Sequence, residues 1–177
     1  MKRKYLTCAE TAKLIRPVLK STFPGVKFSV RSDTYAGGAS IRIRWTDGPT
    51  RKEVDRVVSR YAGATFDGMR DLKEYKAPTI MAGPDGELRE VSFGANYIFT
   101  DRDISLELAL KIRDELVETW GEPANLEITA GEHFLRIPSV RVPNACEDFN
   151  VLFYRKSCEI AVTSSGELVL PHEEGVA

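Results

Sequence analysis

Three stretches of the chain carry apolar residues at every third or fourth position, the spacing that places them on one face of a helix. The first, over residues 7–23, starts with the Thr-x-x-Glu pattern of a capping box, the second lies within residues 50–63, and the third covers residues 105–120. Residues 145–156 also favour a helix, but less clearly. The pattern therefore predicts about three helices.

Other segments alternate apolar and polar residues, as strands with one buried face do. Residues 26–31 and 40–45 alternate on either side of a Gly-Gly turn, which predicts a β-hairpin, and residues 91–99 predict one longer strand. Two further hairpins are expected within residues 126–137 and 160–170. Because hairpins and helices follow one another without strict alternation, the predicted fold class is α+β, a mostly antiparallel sheet of hairpins with about three helices packed on one face.

The composition fits one domain. A chain of 177 residues, of which 42% are hydrophobic, is long enough to bury a continuous core without metals or disulfides. We therefore expect a single α+β domain over residues 1–177, in which residues 121–171 form C-terminal hairpins and residues 172–177 a short acidic tail. No repeat or low-complexity linker divides it.

Cysteine and charge indicate the compartment and the class of partner. The three cysteines are odd in number and favour a reducing compartment, and no apolar run has the length of a membrane span, so a cytoplasmic protein with no membrane partner is expected. The 25 Lys and Arg residues nearly balance 26 Asp and Glu residues, which leaves a net charge of -1. Any attraction to nucleic acid must then come from a local cluster of cations.

Residue sets that support catalysis are not evident in the sequence. The two histidines lie far apart, and no glycine-rich phosphate loop is followed by Lys-Ser or Lys-Thr. Cys8 is expected to open a helix and Cys158 to start a strand, both as inert thiols. No cofactor, metal site or catalytic residue is predicted.

Two pairs of carboxylates are the best candidates for a metal-dependent activity. Asp67 with Asp71, and Asp101 with Asp103, could each offer two oxygen ligands to a divalent cation. However, both pairs flank the ends of predicted elements, where Asp commonly caps helices and stabilises turns. Capping is therefore the preferred interpretation.

The polar face of the first hairpin is the most unusual surface. Strand alternation places Lys27, Arg31, Arg42 and Arg44 on one side of the sheet, with Tyr35 at the hairpin tip. Like charges on adjacent strands repel unless an anionic partner lies over them, so these five residues are the predicted binding site. The alternative is that the face is solvated, or covered by acidic side chains from a helix.

The first part of the chain resembles the large polyvalent protein-associated domains of phages and conjugative plasmids. The resemblance covers about residues 5–120, so that residues 1–120 form the family-like part, and it is carried by FSVRSD (28–33), GGASIRIRWTDGP (37–49), FDGMRD (66–71), FGANYIF (93–99) and RDIS (102–105). It implies an accessory role in handling incoming DNA or in blunting host defence. A free-standing chain of this length resembles a small inhibitor of the anti-CRISPR or anti-restriction kind.

Three functions are therefore compatible with the sequence. The first is a non-enzymatic counter-defence inhibitor that binds a host protein or nucleoprotein complex, and the second is a nucleic-acid-binding accessory module that uses the basic hairpin face. The third is a metal-dependent, nuclease-like enzyme built on the aspartate pairs. The absence of a catalytic residue set favours the first two over the third, and the first is narrowly preferred to the second.

Overall fold

The computed structural model describes residues 2–67, 72–83, 86–131, 134–163 and 168–169. In chain order the elements are β1 (Lys2–Leu6), α1 (Cys8–Thr22), β2 (Ser29–Tyr35), β3 (Gly38–Thr46), α2 (Arg51–Val58), β4 (Ala64–Asp67), β5 (Leu72–Tyr75), β6 (Thr79–Ala82), β7 (Leu88–Phe93), β8 (Tyr97–Asp103), α3 (Leu106–Trp120), β9 (Thr129–Ala130), β10 (Leu135–Arg136), α4 (Phe149–Glu159), β11 (Ala161–Val162) and β12 (Leu168–Val169). The predicted α+β class is confirmed.

The strands form several small sheets rather than one. Their orders are β1-β7-β6, β2-β3-β8, β4-β5, β9-β10 and β11-β12. β1 pairs with β7 in parallel, whereas the pairs β2–β3, β4–β5, β6–β7, β9–β10 and β11–β12 are antiparallel. The strand pairs of the predicted hairpins around residues 130–131 and 164–166 are therefore present, although residues 132–133 and 164–167 in the two turns lie outside the described residues.

The backbone contacts divide the chain into two compact units. Unit 1 comprises Met1–Trp45 and Arg51–Asp101, and unit 2 comprises Thr46–Thr50 and Arg102–Ala177. Each unit has its own cluster of buried apolar residues. That residues 1–177 form a single domain stays a prediction.

In unit 1, α1 forms as the sequence predicts. The Thr7 hydroxyl accepts a hydrogen bond from the Glu10 amide, and the Glu10 carboxylate accepts one from the Thr7 amide, so the capping box is complete. The apolar stripe of the helix is buried, with Ala12, Ile15 and Leu19 fully inaccessible to solvent. This stripe packs against the first hairpin and α2 in one core.

The predicted strand over residues 91–99 is wrong, because the structure breaks it into β7 and β8, which belong to different sheets. The break is at Gly94, whose amide donates to the Leu6 carbonyl at 2.7 Å. A Cβ atom at Gly94 would lie 2.5 Å from the Tyr5 hydroxyl, so only glycine allows β1 to approach this closely. β1 itself is a strand that the sequence pattern does not predict.

In unit 2, α3 and α4 enclose a core of apolar side chains that includes Ile112, Phe149 and Phe153. α4 is the fourth helix of the described residues and resolves the ambiguous segment 145–156. Cys158 lies within α4, not at the start of a strand as predicted, because the helix continues to Glu159. No helix among the described residues is long and apolar enough to cross a membrane.

The guanidinium of Arg102 joins three segments of unit 2. It donates to the carbonyls of Asp47, Gly48, Ser157 and Ile160 at 2.9–3.2 Å. Its planar fork of donors suits several acceptors at once, which an ammonium group cannot match. The 46–50 segment is thereby fixed to the C-terminal end of α4.

Candidate functional site

The first hairpin places its arginines on one outward face. β2 and β3 are antiparallel, with Arg31 opposite Arg42 and Ser29 opposite Arg44. The intervening side chains of Val30, Ile41, Ile43 and Trp45 are buried. The outward positions of the two strands, here called the basic face, are Ser29, Arg31, Asp33, Tyr35, Ser40, Arg42 and Arg44.

This alternation follows from the packing of the hairpin on α1. The apolar residues of β3 are held in the core, with Ile41 and Ile43 both at 0% exposure, so the arginines between them must face away from it. The predicted orientation of Arg31, Arg42 and Arg44 is confirmed. Whether they bind a partner stays a prediction.

Asp101 of β8 approaches the basic face and is a residue that the sequence analysis did not place there. Its carboxylate lies 3.7 Å from Nε of Arg42 and 3.6 Å from Nε of Arg44, and the arginine side chains are each 57% exposed. These distances exceed the 2.7–2.9 Å of a charge-assisted hydrogen bond. Asp101 therefore offsets part of the positive charge without occupying the guanidinium donors.

The guanidinium groups of the three arginines have N–H donors that the described residues do not use. Within the described ranges, the side chains of Arg31, Arg42 and Arg44 donate no hydrogen bond to the protein, and Arg31 has no ion-pair partner. Arg31 and Arg42 face each other across the strands, where like charges are destabilising. An anion lying between them would relieve this repulsion.

The basic face is concave. All of its side chains except that of Tyr35, together with Ser32, line a depression of about 430 Å³ that is open to solvent. Three guanidinium groups surround it, and Asp33 supplies one carboxylate. The hydroxyls of Ser29 and Ser40 add neutral donors to the same surface.

The other two predicted site residues lie at the two ends of β2. Tyr35 is 47% exposed and lies over Gly38, where a Cβ atom would come within 3.1 Å of the tyrosine ring. Lys27 precedes β2 and does not line the depression. It lines a separate groove with Arg16 and Lys20.

Comparison with known proteins identifies the family. The model of large polyvalent protein-associated domain 29 matches residues 6–105, more than half of the 177 residues. The chain belongs to the large polyvalent protein-associated domain 29 family. The predicted family resemblance is thus confirmed over residues 6–105, which is shorter than the predicted range of 5–120, and the matched residues include all of the basic face.

Neither of the other comparisons adds a relative. No curated protein matches this chain. No solved structure matches it either. The family match ends at residue 105, immediately before α3, and most of unit 2 lies beyond it.

In the part of this family member that the structure describes, two of the four predicted aspartates have assigned contacts. No group of three or more His, Cys, Asp or Glu side chains lies together there. Asp101 contacts the two arginines, and the carbonyl of Asp103 accepts a hydrogen bond from the Asp47 amide. The Asp71 prediction lies outside the described residues, as do His133 and His172.

Cys8 is buried directly beneath the basic face. Its thiol contacts the Ser40 carbonyl at 3.3 Å and the Asp33 carbonyl at 3.8 Å. Burial raises the pKa of the Cys8 thiol, so the unreactive thiol form is favoured. The prediction that Cys8 opens a helix is confirmed, and the residue packs the back of the hairpin.

Proposed function

We propose that this member of the large polyvalent protein-associated domain 29 family is a non-enzymatic binding protein whose basic face contacts the phosphate backbone of nucleic acid. The observation that carries the proposal is the set of three exposed guanidinium groups, none of which donates a hydrogen bond within the described residues. Arginine binds phosphate oxygens through paired N–H donors. A phosphate over the face would satisfy those donors.

The cross-strand geometry supports a phosphate rather than an apolar partner. Arg31 and Arg42 lie at directly opposed positions of the two strands, and Arg44 is two residues further along β3. The three positive charges therefore lie within an area of about one to two square nanometres. The whole chain has a net charge of -1, which gives no general attraction to polyanions. Binding would then depend on this local cluster and would weaken with salt.

A counter-defence inhibitor is the second candidate. The specific observation in its favour is the mixed charge of the surface, where Asp33 and Asp101 lie among the three arginines. Mixed charge suits a charged protein surface, which discriminates partners by complementarity. In this case, the basic face occupies a host protein or nucleoprotein complex of the CRISPR or restriction type, as expected of a protein of a phage or other mobile element.

Charge reversal on the basic face tests the first candidate. In a mobility-shift titration with DNA and RNA, Arg42→Glu combined with Arg44→Glu is expected to weaken binding about 100-fold or more, where each tenfold loss corresponds to about 1.4 kcal/mol. The matched control is Lys52→Glu with Arg56→Glu, which changes the net charge equally on exposed positions of α2. An equal loss of nucleic-acid affinity in the two double variants would show that the basic face is not the binding site.

Affinity capture tests the second candidate. The chain is used to capture proteins from a lysate that contains CRISPR and restriction complexes, with and without nuclease treatment. Recovery of such a complex that survives nuclease and is lost in the Arg42→Glu, Arg44→Glu variant would support direct protein contact. Recovery of no complex would contradict it.

The proposed absence of enzymatic activity can be tested with divalent cations. Added magnesium or manganese is expected neither to raise the melting temperature nor to produce cleavage of DNA or RNA. Metal-dependent cleavage that disappears in Asp67→Asn would overturn the non-enzymatic assignment and support the nuclease-like alternative.

A further inference from the structure

A second concave surface lies next to the basic face along β2. It is a groove of about 420 Å³ between the last two turns of α1 and the residues that lead into β2. We call it the α1 groove; its lining residues are Arg16, Lys20, Gly25, Val26, Lys27, Phe28 and Val30. Its volume is within the range of about 300–1,000 Å³ that small-ligand pockets show.

The α1 groove differs from the basic face in its chemistry. Its walls are partly apolar, contributed by Val26 and Phe28, while Lys20 and Lys27 are exposed at its rim. Among the described residues, the depression on the basic face is lined by serine, arginine and aspartate side chains. One surface thus suits an anion alone, and the other suits a flat apolar group that carries an anion.

The apolar wall of the α1 groove is packed against neighbouring aromatic side chains. The Phe28 ring packs against the rings of Phe23 and Trp45, with centroids 5.9 and 5.5 Å apart. Arg16 donates to the Val30 carbonyl at 2.9 Å and so fixes α1 to the beginning of β2. A ligand entering the groove would meet a preformed surface, which limits the entropy lost on binding.

We propose that the α1 groove receives an unpaired nucleobase, so that the ligand of the basic face is single-stranded nucleic acid. This inference rests on the proposed function. A duplex presents sugars and phosphates outward and keeps the faces of its bases stacked, whereas a single strand can place a base face on an apolar or aromatic surface. Only a single strand can therefore use the basic face and the α1 groove together.

The placement of the two surfaces suits a strand that follows β2. Lys27 precedes β2 and Arg31 is the third residue of that strand, so the four-residue separation between them spans at most about 13 Å. At the far end of the face, the exposed ring of Tyr35 offers a second flat surface. The α1 groove, the arginines of β2 and β3, and Tyr35 thus succeed one another along the residues that lead into the hairpin and form it.

The experiment compares three ligands by fluorescence anisotropy at constant salt. The probes are a labelled oligodeoxythymidine, its duplex with the complementary strand, and an abasic strand with the same number of phosphates. The wild-type chain is expected to bind the oligodeoxythymidine about tenfold more tightly than either other probe. Lys20→Glu with Lys27→Glu is expected to remove most of its affinity for oligodeoxythymidine, whereas the Lys52→Glu, Arg56→Glu control keeps both the affinity and the preference.

The outcomes separate this inference from the proposed function. If the wild-type chain binds all three probes equally, or if the groove variant weakens binding no more than the control, the α1 groove holds no base and the inference fails while the proposed function stands. If the wild-type chain binds none of the probes, the proposed function fails and the inference fails with it.

Discussion

The two units differ in how their conformation is specified. In unit 1 long amphipathic elements bury their apolar stripes against each other, and the basic face is a direct consequence of strand alternation in the hairpin. In unit 2 the strands are two residues long, and Arg102 bonds to four backbone carbonyls at the edges of the core. Side-chain periodicity thus defines the first unit, whereas the second also needs hydrogen bonds between a side chain and distant backbone.

The largest expected effects come from the two cores. Phe153→Ala in unit 2 is expected to lower the free energy of unfolding by about 3–5 kcal/mol, and Ile43→Ala in unit 1 by about 2–5 kcal/mol, because each removes a fully buried side chain and leaves a cavity. The measurement is denaturant unfolding with hydrogen exchange. Phe153→Ala should speed exchange mainly in α3 and α4, and Ile43→Ala mainly in α1 and β3. Identical exchange patterns for both variants would show that the two cores do not respond separately.

Arg102 gives the next largest effect. Arg102→Ala is expected to lower the free energy of unfolding by about 2–4 kcal/mol, because buried carbonyls lose a charged donor. Arg102→Lys restores the charge but not the planar fork of donors, so it should recover only part of the loss. Full recovery by lysine would show that the charge matters and the fork does not.

The elements of unit 1 could be predicted to within a few residues wherever the pattern was long. α1 begins one residue after Thr7 as its capping box predicts, and the hairpin has the predicted faces. β1 was missed because its alternation is short and highly charged and its partner β7 is more than eighty residues away. No local signal reveals such a pairing.

The candidate site could be predicted only in part, for the same reason. The parity of β2 and β3 placed three arginines on one face, but Asp101 reaches them from β8, which pairs with β3 across more than fifty residues of sequence. A local pattern gives the residues of one hairpin. It does not give the third strand beside it.

Substitution of Asp101 is expected to have a smaller effect, on the affinity of the basic face for nucleic acid. Asp101→Asn removes the carboxylate between Arg42 and Arg44, so it is expected to tighten nucleic-acid binding roughly threefold and to change the free energy of unfolding by less than about 1 kcal/mol, as exposed ion pairs do. Anisotropy titration and thermal unfolding measure the two quantities. Weaker binding would mean that Asp101 positions the arginines instead of opposing the ligand.

The capping box of α1 gives the smallest effect, which depends on pH. The Thr7 amide, and then the Thr7 hydroxyl, hold the pKa of the Glu10 carboxyl below its ordinary value. The cap therefore contributes its full stabilisation above the ordinary carboxyl pKa and loses it as pH falls through the lower value of the folded state. Thermal unfolding across this acid range should show less pH dependence in Glu10→Gln than in wild type; an unchanged pH dependence would contradict this.

The salt dependence of nucleic-acid binding shows whether the arginines of the basic face contact phosphates. The logarithm of the association constant for oligodeoxythymidine is plotted against the logarithm of the salt concentration for the wild-type chain and for Arg31→Ala, Arg42→Ala, Arg44→Ala. The slope is expected to become shallower by about 2 in the triple variant, since each phosphate contact to a single strand contributes about 0.7. A slope equal to that of the wild type would show that these arginines do not meet phosphates.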